Sequence, residues 1–182
     1  MAVSYTFVPK PFKLYYASTE RGLVSIIPSS LRNRDEKEGD IVSATPSKAF
    51  AAAFLFQQGK DSCLSGCFGD MVYFVYKGTK KEFMSLDKGG VLYEVSSDNF
   101  KCDPKFGLGL MEWVSDKPVT PLKSVAVDSI LEEMIQQYVQ VYFVDEETFS
   151  LCSTSQDHGR KMLDEMTSEN KKRNKNVRSL YA

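Results

Sequence analysis

The stretch Ile41–Gln57, IVSATPSKAFAAAFLFQ, decides how the chain is read. Ile41, Val42 and Ser43 have the composition of a short strand. Thr45 is placed to cap a helix with its side-chain oxygen, and Pro46 suits the first helical position, where a missing N–H costs nothing. A helix is therefore expected from Pro46. Ala49, Phe50, Ala52, Ala53, Phe54 and Phe56 follow; the alanines let the helix backbone lie close to a sheet and the phenylalanines fill the gaps. A strand running into such a helix is scaffold, without chemistry of its own.

Upstream, residues 1–12 carry two prolines and little periodicity, and Lys13–Ser18 (KLYYAS) is the first strand. Glu20–Gly22 turns the chain, Leu23–Ile27 is apolar up to Pro28, and Ser29–Asp40 is a charged, solvated loop. Downstream, Gly59–Asp70 (GKDSCLSGCFGD) reads as a loop and Met71–Tyr76 (MVYFVY) as a buried strand. Glu82–Leu86 and Val91–Val95 are strand candidates joined by a hairpin turn at Gly89 and Gly90. Asp98–Gly109 is irregular, and Leu110–Val114 (LMEWV) and Leu122–Val127 are further strands. Ser129 with Glu132 makes a capping box for a helix over Ile130–Tyr138, whose Ile130, Leu131, Met134, Ile135 and Tyr138 share a face. Val139–Val144 is a strand. A last helix, starting near Thr154 or Ser155, presents Met162, Leu163 and Met166 and runs into the basic tail ENKKRNKNVR. Strands outnumber helices and cluster in the middle, which predicts an α+β fold with a mainly antiparallel sheet and a few packed helices.

At 182 residues, one domain is the expectation. The charged residues, 26% of the chain, balance to a net charge of −1, so no global signal for a polyanion partner exists. No apolar run approaches the ~18–20 residues that span a bilayer, and the first residues lack a basic and apolar leader. Four cysteines make no disulfide framework. Together these features predict a cytoplasmic protein without a membrane partner; oligomeric state is not legible.

Four patterns bear on chemistry. Cys63 and Cys67 lack two further ligands at zinc spacing, so no metal is expected, although oxidation could join them. His158, in QDHGR, has no nucleophile motif beside it and reads as structural or surface. Gly107 and Gly109 form neither a phosphate loop nor a dinucleotide fingerprint. Glu112 differs: within a strand LMEWV its carboxylate shares a face with Leu110 and Val114, on solvent or in a cleft, and pattern alone favours solvent.

Three stretches together resemble the ADP-ribosyltransferase fold, the NAD-using family of diphtheria-type toxins and poly(ADP-ribose) polymerases. KLYYAS followed by GLVSIIPS is similar to the opening strand, often written leucine-tyrosine-histidine-glycine-serine, and the segment behind it. VSATPSKAFAAAFL is similar to the strand and helix that carry two aromatic residues eleven positions apart. MEWVSDKPVTP is similar to the strand presenting the family's glutamate. The resemblance covers residues 13–127 as a core, with 128–170 as a helix-strand-helix extension and 171–182 as the tail.

The resemblance implies a split antiparallel sheet, NAD as substrate, Glu112 as the catalytic acid, and NAD binding by Tyr16, Ser18, Ser43, Thr45 and Phe54. Tyr16 stands where the family has histidine, and Ser43 and Phe54 where it has tyrosines; Glu112 keeps the family's residue. A tyrosine hydroxyl can still bond a ribose and Phe54 can still stack, whereas Ser43 cannot, leaving Tyr15, Tyr73 or Tyr93 to supply a ring. Two functions follow: transfer of ADP-ribose to a macromolecular acceptor, protein in preference to nucleic acid, or a degenerate module that binds nucleotide or a protein partner without turnover.

Overall fold

A computed structural model of the chain describes residues 9–30, 39–56, 61–68, 71–102, 109–155 and 159–173. Among these residues the fold is mixed α and β, with three small sheets and five α-helices. Strand β1 (Lys13–Ser18) pairs antiparallel with β5 (Gly90–Ser96), which pairs antiparallel with β7 (Pro121–Val127). A two-stranded ribbon joins β2 (Val42–Ala44) to β6 (Trp113–Ser115). The third sheet has the order β3 (Cys63–Phe68), β4 (Met71–Lys77), β8 (Gln140–Val144). Here β4 and β8 run parallel, the exception to an otherwise antiparallel pattern.

Helix α1 (Lys48–Phe54) lies between the two three-stranded sheets. Phe50 and Ala52 are wholly buried, in one cluster with Ala17, Leu92 and Val127 of the first sheet and Val72, Phe74 and Tyr76 of the third. The alanines serve the close approach expected of them. The helix starts later than its sequence suggests. Thr45 is held extended by a backbone pair with Tyr15, at 2.7 and 3.0 Å, so the cap falls to Ser47, whose Oγ accepts from the Phe50 N–H at 3.1 Å.

Three loops or strands read from sequence are replaced. Cys63–Phe68 is β3, because it finds β4 as a partner; at Gly66 a side chain would meet the Tyr73 ring, so glycine is required there. Cys63 and Cys67 thus sit four residues apart on one strand, about 13 Å at ~3.3 Å per residue, which excludes a disulfide between them. Helix α2 (Lys80–Leu86) replaces the expected strand at Glu82–Leu86. Its cause is a capping box: the Thr79 N–H donates to Glu82 Oε2 at 2.7 Å and the Glu82 N–H to Thr79 Oγ1 at 3.2 Å. With a helix there, Gly89 and Gly90 turn no hairpin. Gly89 instead takes φ +66 under the Val127 carbonyl, where no side chain fits.

Helix α3 (Ile130–Gln136) begins at Ser129 as expected, and Asp87 reinforces it from afar. The Asp87 carboxylate accepts from Ser129 Oγ at 3.0 Å and from the N–H groups of Ile130 and Leu131 at 2.9 and 3.1 Å. The helix stops short of Tyr138, which is left-handed at φ 61 and 90% exposed, off the apolar face assigned to it. After β8, helix α4 (Glu146–Thr154) is an element the sequence reading missed. Helix α5 (Arg160–Arg173) buries Leu163, with Met162 and Met166 packed beside it. Strand β8 therefore completes the third sheet beside β4, and Ile130, Leu131 and Met134 of α3 join the main core. His158 and most of the basic tail lie outside the described residues.

Candidate functional site

Strand β1, ribbon β2–β6 and helix α1 enclose a cleft of about 520 Å³. Its walls follow from the backbone. The Tyr15–Thr45 pair stitches β1 to the end of β2, and the chain then enters α1, so three elements meet at one corner. The segment after β1 folds over the open side, held by a two-way backbone pair between Ile26 and Val119.

All six residues named from the family resemblance line this cleft: Tyr16, Ser18, Ser43, Thr45, Phe54 and Glu112. Glu112 reaches it by a route other than the expected strand. Gly109–Met111 is a single 3-10 turn, closed by the Glu112 N–H donating to the Gly109 carbonyl at 3.2 Å, and β6 starts only at Trp113. Alternation does not apply across such a turn, so Met111 and Glu112 both line the cleft. The Ser43 hydroxyl donates to Glu112 Oε1 at 3.0 Å across the ribbon, fixing the rotation of the carboxylate. Glu112 itself is half-buried.

The remaining residues divide by exposure. Ser18 and Thr45 are buried and serve the backbone: Ser18 Oγ accepts from the Glu20 N–H at 3.1 Å and Thr45 Oγ1 from the Ser47 N–H at 3.2 Å. Phe54 is 42% exposed, its ring edge-on to Phe50 at 4.8 Å. Of the tyrosines considered for stacking, Tyr15 lines the cleft. Tyr73 packs in a separate cluster with Phe149, and Tyr93 is buried behind Tyr16, so neither can face a ligand.

Sequence reasoning missed Glu20, Leu23 and Ile26 as cleft residues. Leu23 and Ile26 belong to the apolar stretch GLVSIIPS, marked only by its resemblance to the segment behind the first strand, and Glu20 carried no signal beyond a turn. Among the described residues, the lining carries two carboxylates, Glu20 and Glu112, and no lysine or arginine. Cys67 is no rival nucleophile, since burial pushes its thiol up, away from the reactive thiolate. Among the described residues, no three His, Cys, Asp or Glu side chains are grouped to hold a metal, and no helix is long and apolar enough to cross a membrane. Comparison with protein-family models, with curated proteins and with solved structures returns no match.

Proposed function

We propose that the protein is an ADP-ribosyltransferase that takes NAD into this cleft and transfers ADP-ribose to a macromolecular acceptor, a protein in preference to a nucleic acid. The observation that carries the reading is the pairing of Glu112 with Ser43 in a cleft that also holds Tyr16 and Phe54. A volume of about 520 Å³ suits a ligand the size of a nucleoside. Hydroxyls and aromatic faces are the groups that recognise a ribose and a pyridinium ring.

In this reading the Tyr16 hydroxyl bonds the ribose next to nicotinamide, and Phe54 and Tyr15 offer rings to the base. The bond from ribose C1′ to the nicotinamide nitrogen breaks with its electron pair leaving on nitrogen. Positive charge then grows on the ribose, and Glu112, held by Ser43, stabilises it. A nucleophile of the acceptor attacks C1′, forming the new bond to ribose, and its proton is released to solvent, so NAD and acceptor become ADP-ribosylated acceptor, nicotinamide and a proton. A preorganised charge of this kind is worth roughly 3 kcal/mol, the lower end of the usual range because Ser43 is exposed and Glu112 only half-buried. The second carboxylate, Glu20, adds to the negative potential that favours a cation.

The serine at position 43 favours the second reading, a module that binds without turnover, because serine supplies no stacking surface. Incubation with millimolar NAD separates the two. Transfer requires free nicotinamide to accumulate and the melting temperature to rise, since ligand at 100 times Kd stabilises by about 2.7 kcal/mol. A melting shift with no nicotinamide supports the module, and neither signal removes NAD from the cleft altogether.

A further inference from the structure

We infer that Tyr93 is a positioning residue of the cleft, acting through the turn Glu20–Leu23 and through Tyr16; the inference rests on the reading of the cleft as an NAD site. Tyr93 is 1% exposed, so it touches no ligand itself. It lies directly opposite Tyr16 on the neighbouring strand, with ring centroids 6.4 Å apart and tilted by 44°. Tyr93 therefore forms the backing against which the Tyr16 ring rests.

Its hydroxyl goes to the turn. It donates to the Glu20 carbonyl at 2.9 Å and accepts from the Leu23 N–H at 3.1 Å, closing both ends of one turn from a strand about 70 residues away. A buried tyrosine hydroxyl requires partners, but any core carbonyl would serve that need. Here both partners belong to the segment that places Glu20 and Leu23 in the cleft wall. Besides the bond from the Glu20 N–H to Ser18 Oγ at 3.1 Å, the turn lies open: Glu20, Arg21 and Gly22 are exposed and Gly22 sits at φ +73. Phenylalanine would fill the same space, so the hydroxyl is needed for the turn rather than for packing.

Tyr93→Phe tests this with two readouts. Amide exchange reports the clamp: in the wild type the Leu23 N–H should exchange at least about 100-fold slower than in an unfolded chain, and in the variant about tenfold faster than in wild type. Phe74, deep in the other sheet, should keep its protection, which shows that the fold is intact. Nicotinamide release reports the cleft: KM for NAD should rise about tenfold with kcat within twofold, because the variant misplaces the binding wall and leaves Glu112 alone. Unprotected Leu23 in the wild type overturns the inference without any variant. Equal Leu23 exchange and equal KM in the two proteins overturn it as well. If the wild type neither binds nor cleaves NAD, the functional reading falls, and Leu23 exchange alone decides the clamp.

Discussion

Ser43 is the residue whose chemistry the family pattern would discard and whose position gives it a role. It cannot stack on a nicotinamide ring, yet its hydroxyl reaches Glu112 at 3.0 Å. A hydrogen bond to a charged group contributes about 1.5–3 kcal/mol, and the lower end applies because Ser43 is exposed. Ser43→Ala should therefore lower nicotinamide release about tenfold while leaving the melting temperature within a degree or two. A variant as fast as wild type removes Ser43 from the site. Glu112 and Tyr16 were named only through the family resemblance, since pattern alone favoured solvent for Glu112 and Tyr16 replaces a histidine; both line the cleft. Glu20 and Leu23 were not legible in the sequence, because their place in the wall depends on a hydroxyl some 70 residues distant.

At the scale of elements, helix starts carry much of the local specification. Asp87 caps α3 with three hydrogen bonds from a different part of the chain. Asp87→Ala leaves those donors unpartnered and should cost about 2 kcal/mol, read as a lower midpoint in urea unfolding; an unchanged midpoint contradicts the assignment. Helices α2 and α4 make stability depend on acid. Hydrogen bonds to Thr79 hold the Glu82 carboxyl below its ordinary range, and bonds to Thr148 do the same for Asp145. A carboxyl lowered on folding stabilises above its unfolded value and loses that contribution as pH falls through the lowered one. The urea midpoint should thus decline as pH drops from about 5 to about 3, and Glu82→Gln should decline less; parallel curves for the two proteins would exclude Glu82 as a source. Long periodic elements such as β1 and α3 were legible from their own residues. The strand at Cys63–Phe68 was not, since glycine and serine mark loops until a partner strand is known. The helix at Lys80–Leu86 was readable from its threonine and glutamate spacing and was overlooked beside a glycine pair that suggested a hairpin.

Over the whole molecule, the two three-stranded sheets share one core through α1 and an aromatic cluster. Phe83 stacks on Phe56 at 4.1 Å and meets Phe74, Tyr76 and Phe143 edge-on, tying α2 to β4, β8 and the end of α1. Phe83→Ala should cost about 3–5 kcal/mol and lower the melting of both sheets in one transition. Two separated transitions would show that the sheets fold independently. The parallel pairing of β4 with β8 lay beyond sequence reasoning, because strand propensity gives no direction or neighbour. The cleft likewise exists only once β1, β2 and α1 have met at the Tyr15–Thr45 pair. Its assignment turns on a single carboxylate, and the most direct measurement is nicotinamide release from NAD by wild type and by Glu112→Ala at matched folded concentration. Release by the wild type, falling 10²–10³-fold in a variant of equal melting temperature, is the result expected of a charge that stabilises the ribose cation. Release unchanged by the substitution would contradict it.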